Sequence, residues 1–265
     1  MPFVQCRDIR VYYEIHGDGP RLLFFNGSGA DLRRKPNIFD SPLTGRFAVL
    51  CHDQRGLGST DKPQRAYSMA DYAEDGNALL DALGWERCRV VGVSFGGMVA
   101  QEFAIRFPNR VERLVLACTS SGGAGGASYP LHELSDLALS ERGRRVVSLA
   151  DTRLDAEWQA KHPDRFAALV AMTTGAEETA DPASRDGMRR QLEARRGHDT
   201  YDRLPGIACP VYVCGGRYDA IAPPSNLEAI AKQIRGAMLE LFDGGHTFML
   251  QDPNAFTRMI DFLAA

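Results

Sequence analysis

Arg87-Cys88-Arg89-Val90-Val91-Gly92-Val93-Ser94-Phe95-Gly96-Gly97-Met98-Val99-Ala100 sets a strand-like apolar run, ending at Gly92, against a helix-like apolar run from Phe95 to Phe107. A serine at so tight a strand-to-helix turn takes a strained backbone conformation, and small residues two positions either side keep strand and helix from colliding. Gly92 and Gly96 are those small residues. At ordinary Gly and Ser frequencies a bare G-x-S-x-G arises by chance on the order of 0.1 times in a chain of this length. The flanking elements therefore carry the argument, and they weigh against the plainer reading of a glycine-rich turn with a surface serine. A helix starting after Ser94 also aims unpaired backbone N–H groups at negative charge developing beside it.

A serine hydroxyl is a weak nucleophile and needs a histidine base oriented by a carboxylate. Late in the chain, Pro210-Val211-Tyr212-Val213-Cys214 reads as a buried strand, and Asp219 follows just past its carboxyl end. A helix from about Pro224 to Arg235, a strand from Met238 to Phe242 and the loop Asp243-Gly244-Gly245-His246 come next. Asp219 is the candidate acid and His246 the candidate base. Their bland alternatives are a turn or helix-capping aspartate and a surface loop histidine. Asp243 lies nearer His246 in sequence but starts the turn. The other five histidines lack this strand-loop-helix setting; His52, at a strand end, reads as packed, and His198-Asp199-Thr200-Tyr201-Asp202 as a helix end and loop.

With serine, acid and histidine in that order, the chain resembles the α/β-hydrolase superfamily over essentially all 265 residues, and within it the capped esterase and enol-lactonase-like branch. The resemblance implies an α/β-hydrolase fold: a mostly parallel eight-stranded sheet covered by helices on both faces, with a helical cap inserted after the sixth strand. It implies Ser94, Asp219 and His246 as the catalytic triad. Where the family usually has His-Gly, this chain has Leu22-Leu23-Phe24-Phe25-Asn26-Gly27-Ser28-Gly29, with Asn26 in the histidine's place. The backbone N–H groups of Ser28 and Phe95 then form the oxyanion hole, and Asn26 and Gly27 are substrate-binding candidates. Asp53-Gln54-Arg55-Gly56-Leu57-Gly58-Ser59 matches the family's D-x-R-G-x-G-x-S loop, read as structural bracing.

Along the chain, Phe3 to Cys6 and Ile9 to His16 read as an antiparallel hairpin. Leu22 to Phe25, Phe47 to His52, Cys88 to Gly92 and Val111 to Ala117 are continuous apolar strands of a sheet buried on both faces. Ser68-Met69-Ala70-Asp71 resembles a capping box opening a helix that runs to Leu83 and stops at Gly84. Alternating strands and helices argue for a doubly covered sheet. After Cys118 the pattern breaks. Residues 122–204 are expected to form the cap, between core segments 1–121 and 205–265, with helices over Leu131 to Ser140, Asp155 to Thr173 and Pro182 to Arg196. Leu134, Leu137, Trp158, Phe166, Leu169, Met172, Met188 and Leu192 are candidates to face core or pocket. Arg142-Gly143-Arg144-Arg145 and Arg195-Arg196 read as solvated faces.

Composition fits one soluble catalytic domain, at 44% hydrophobic and 25% charged residues. A net charge of −3 leaves no basic footprint for nucleic acid. No apolar stretch approaches the roughly 20 residues a bilayer requires, and the N-terminus carries no secretion-signal pattern. Six cysteines without a C-x-x-C pair read as reduced and buried, which points to the cytoplasm. No ligand spacing implies a metal, and no cofactor is expected. The expected partners are water and a small-molecule ester, lactone or related carbonyl compound, with homo-oligomerisation left open. The expected activity is hydrolysis of a small carboxylic ester or lactone through an acyl-enzyme on Ser94. Alternatives are a carbon–carbon bond hydrolase of a diketone-like ring-cleavage product, a perhydrolase, and, from another class, a low-turnover ligand-binding receptor. Dehalogenases and epoxide hydrolases are disfavoured, because their branches carry aspartate where Ser94 stands.

Overall fold

The apolar runs become eight strands of one sheet: β1 (Phe3–Cys6), β2 (Ile9–His16), β3 (Arg21–Phe25), β4 (Ala48–His52), β5 (Cys88–Val93), β6 (Val111–Ala117), β7 (Val211–Gly216) and β8 (Met238–Phe242). The structure, a computed structural model, describes residues 2–265. Strand order is β1-β2-β4-β3-β5-β6-β7-β8; β2 pairs antiparallel with both β1 and β4, and every other neighbouring pair runs parallel. The parallel strands alternate between two cores. Leu23, Phe25 and Val90 face the core shared with helices α1 (Met69–Ala82) and α2 (Phe95–Arg106), while Leu22, Phe24 and Val91 face the opposite one. That two-sided burial is why these strands read as unbroken apolar runs. The Ser68–Asp71 capping box is present, each side chain bonded to the other's backbone N–H.

Four helices lie between β6 and β7: α3 (Leu139–Ala150), α4 (Ala156–Lys161), α5 (Pro163–Glu178) and α6 (Pro182–Arg196). They differ from the expected helices in two places. Leu131 to Ser140 is not one helix: Leu131–Leu134 forms a 3-10 turn, and α3 begins only at Leu139. Ser135 donates its hydroxyl to the His132 carbonyl, the local side-chain competition that turns helices aside. The helix expected over Asp155 to Thr173 is broken at His162, because Pro163 forces the preceding residue out of helical geometry, here to φ −133° and ψ 53°.

Two arginine runs are also not simply solvated. In α3, Gly143 is buried against Thr174 of α5; in α6, Arg195 is buried while Arg196 is exposed. Met172, a candidate for an inward face, is 77% exposed. After β7 come α7 (Pro224–Gln233), then β8, α8 (Phe248–Gln251) and α9 (Asn254–Ala264). Among the described residues no helix is long and apolar enough to cross a membrane.

Candidate active site

The chain runs from β3 outward to β4, then returns to place β5 on β3's other side, so the loops leaving β3 and β5 part at a topological switch point. Register decides what meets there. Phe25 pairs with Gly92, which sets Asn26-Gly27 beside Val93-Ser94. Ser94 holds φ 56° and ψ −117°, a left-handed conformation that a non-glycine residue keeps only when its surroundings impose it. The surroundings do so chiefly through three bonds, with Met98 N donating a longer one to the Ser94 carbonyl at 3.3 Å. The Ser94 N–H donates to the Ala117 carbonyl at 2.8 Å, and the Ser94 carbonyl accepts from Gly97 N at 2.9 Å and Thr119 Oγ1 at 2.8 Å. A Cβ on Gly92 would strike the Gly96 carbonyl oxygen, and one on Gly96 the Phe25 carbonyl oxygen. Both glycines are required by close approach.

Parallel pairing carries the other two candidates to the same sheet end, since β5, β6, β7 and β8 are successive neighbours. His246 Nε2 lies 2.9 Å from Ser94 Oγ, and His246 Nδ1 2.7 Å from Asp219 Oδ2. One neutral tautomer satisfies both contacts: Nδ1–H donates to the carboxylate, and Nε2 accepts from the hydroxyl. Asp219 is fully occupied and buried, its Oδ1 accepting from the N–H groups of Ile221 at 2.8 Å and Ala222 at 2.9 Å. Asp243, nearer in sequence, pairs instead with Arg153 at the surface.

Sequence reasoning missed how far the inserted helices support these loops. The carboxyl end of α3 presents carbonyls with no partner in the helix, and core loops take them up: Ala220 N donates to Leu149 O at 2.9 Å and His246 N to Ala150 O at 2.6 Å. Gln251 ties the same region together, accepting from Gly245 N at 2.7 Å and donating to Asp151 at 2.9 Å.

On the other side, Gln191 of α6, fully buried, accepts from Gly29 N at 2.8 Å and donates to Gln54 Oε1 at 3.1 Å. Gln54 in turn donates to the Asn26 carbonyl at 2.8 Å. Two glutamines therefore hold both ends of Asn26-Gly27-Ser28-Gly29. The D-x-R-G loop carries one of them and is braced itself: Asp53 accepts from Leu32 N and Ser59 N, and buried Arg55 pairs with Asp75 and Asp8. Burial raises the Asp53 carboxyl to about 6.

Asn26 and Gly27 fare differently. The Asn26 amide donates to Cys51 Sγ at 3.2 Å, fixing the loop, while Gly27 lines the cavity at Ser94. Among the described residues neither the Ser28 N–H nor the Phe95 N–H, first of α2, donates to a protein acceptor. His52 is packed edge-on against Phe25, and His198 bonds the Ser120 carbonyl; neither reaches the Ser94 cavity. That cavity, about 280 Å³, is walled by Leu131, Val146, Ile221, Met249 and Leu250, with no arginine or lysine. A second cavity of about 240 Å³ shares its Ser28, Leu131 and Val146 walls and extends beneath α3, α5 and α6, where Arg142 and Glu177 neutralise each other at 2.6 Å.

A family model described as the alpha/beta hydrolase family matches residues 22–259. The chain belongs to that family. This α/β-fold hydrolase is 25% identical to the enol-lactonase from Burkholderia xenovorans LB400, whose solved structure it matches with a TM-score of 0.81 over 100% of both chains. It is 28% identical to a poly(3-hydroxyalkanoate) depolymerase of Ectopseudomonas oleovorans over 90% of this chain and 82% of that protein. To 3-oxoadipate enol-lactonase 2 of Acinetobacter baylyi it is 24% identical over 97% of this chain and 93% of the other.

Proposed function

We propose that this hydrolase cleaves a small, uncharged carboxylic ester or lactone through an acyl-enzyme on Ser94. One observation carries the reading: an unbroken hydrogen-bonded chain from Ser94 Oγ through His246 to buried Asp219, at a cavity with apolar walls. In this mechanism His246 takes the Ser94 proton as Oγ attacks the carbonyl, and Asp219 stabilises the imidazolium. The Ser28 and Phe95 N–H groups hold the tetrahedral oxyanion, each contributing about 3 kcal/mol of barrier lowering. The imidazolium then protonates the leaving alcohol, and the same histidine activates the water that frees the acid.

Residues 122–204 serve in this reading as a cap that walls the acyl site, over a core of residues 1–121 and 205–265. The six free cysteines fit a reducing compartment, the cytoplasm. The lactonase and depolymerase relatives lend support to ester or lactone chemistry, and the apolar lining favours an uncharged acyl group over a carboxylate-bearing one.

Steady-state hydrolysis of p-nitrophenyl esters and a γ-lactone by the wild type and Ser94→Ala tests the proposal. Turnover of either class by the wild type, lost in the variant, is the expected result. Equal activity in the variant overturns the role of Ser94. Labelling of Ser94 by a fluorophosphonate without turnover of either class overturns the substrate class.

A further inference from the structure

Among the described residues two arginines, Arg55 and Arg195, are deeply buried, and their surroundings differ. Arg55 is clamped between the carboxylates of Asp75 and Asp8. Arg195, only 8% exposed, has no carboxylate within ion-pair distance among the described residues. Its Nη2 donates to Ser128 Oγ and, at 3.0 Å, to the Tyr129 carbonyl, which leaves Nε and Nη1 without a protein acceptor. Burial alone draws its guanidinium down to about 10. Arg195 Nε and Nη1 are not among the fully buried unpartnered atoms, so they open to the adjoining space, where a cation largely withdrawn from bulk water favours an anionic partner.

The space beside Arg195 has the chemistry of the missing partner. A cavity of about 80 Å³ is lined by Arg195, Arg196, His132, His198, Ser120 and Ser128, with no Asp or Glu. Among the described residues the ring of His132, which lines the cavity as well, makes no protein hydrogen bond, its Nδ1 being buried without a partner. Ser120 Oγ accepts from Ser128 N at 3.2 Å and so keeps its own proton to donate. At roughly 30 Å³ per water, the cavity matches the volume of two or three waters, the scale of one small ion. It shares no lining residue with the Ser94 cavity, and Leu131, between Pro130 and His132, faces the latter.

We propose that this cavity binds a small oxyanion, a carboxylate or an inorganic phosphate or sulfate, held by the open edge of the Arg195 guanidinium with His132, Ser128 and Arg196 completing the cradle. The planar fork of a guanidinium suits such a group, and the absence of acidic walls selects its charge. The proposal does not depend on the role of Ser94.

Thermal unfolding with phosphate, sulfate or acetate titrated against chloride at matched ionic strength tests it. A saturable rise of a few degrees at about ten times the dissociation constant is expected for at least one oxyanion over chloride. Whether acetate or the tetrahedral ions respond distinguishes a carboxylate from a phosphate or sulfate ligand. Arg195→Met, which removes an unpaired buried charge, should fold and lose the response; His132→Phe should weaken the apparent affinity several-fold. A rise that tracks ionic strength alone, no rise over chloride, or an undiminished response in Arg195→Met overturns the proposal. If Arg195→Met does not fold, His132→Phe decides: a weakened response supports the site and a full response overturns it.

Discussion

The sheet-end loops and the inserted helices α3–α6 hold the candidate site by different physics. Ser94, Asp219 and His246 sit on loops whose places follow from strand register, from a strained serine and from glycines that permit no Cβ. The insertion reaches the same loops through a few polar bonds: the Leu149 and Ala150 carbonyls on one side, the Gln191 amide on the other. Its outer helix α5 buries little beyond Phe166 and Thr174. Framework geometry thus brings Ser94, His246 and Asp219 together, while the insertion trims the loops around them and supplies part of the cavity walls.

The largest test of that division is Asp219→Asn. If the framework carries the chemistry, kcat should fall about 10⁴-fold with folding intact, since the wrong histidine tautomer is then favoured; a loss of only a few-fold would break the contrast. Next is Gln191→Leu, which leaves the Gly29 N–H and the Gln54 amide short of a partner. A buried unsatisfied group costs about 1–3 kcal/mol, so kcat should fall roughly 10- to 100-fold with KM nearly constant; an unchanged kcat would show that the core alone sets the loop. Val146→Trp, filling the wall shared by the two cavities, should lower kcat/KM for octanoate relative to acetate esters about tenfold, as lost apolar contact implies. An unaltered chain-length profile would place the acyl group elsewhere.

The smallest effect divides the two regions by pH. Burial holds His52, in the sheet, and His198, where the insertion returns, at about 4, below the ordinary 6.5. The unfolded chain therefore binds more protons between those values, so the stability is present above pH 6.5 and is lost as pH falls toward 4. From pH 7 to about pH 5.5 the loss is about 1 kcal/mol per histidine. Asp53, raised to about 6 from 3.8, acts oppositely, because protonation there favours the folded chain, by less than the two histidines together. Melting temperatures across that range should fall, and less steeply in His52→Phe; an unchanged slope would remove His52 from the account.

How much was legible follows from where the signals lie. Strand runs, the Ser68 capping box and the turn around Ser94 are local patterns, and α6 too was readable end to end from its proline start. Pro163 is an equally local signal, masked by the helical composition on both sides of it. Other features were silent. The inner face of α6 is Gly187, Gln191, Ala194 and Arg195, spaced for a helix but not apolar, so hydrophobic periodicity cannot see it. The Gly29–Gln191 bond joins residues 162 apart, and nothing near either predicts the other.

The docking of α3 bears on how such a hydrolase could be re-engineered. With two of its terminal carbonyls accepting from the Asp219 and His246 loops, the insertion is keyed into the end of the sheet that carries the candidate site. A transplanted insertion would have to arrive with a helix that stops at the same height, and with one buried amide on its last helix. Without them, the recipient would gain a new cavity wall and lose the alignment of the histidine that stands beside it.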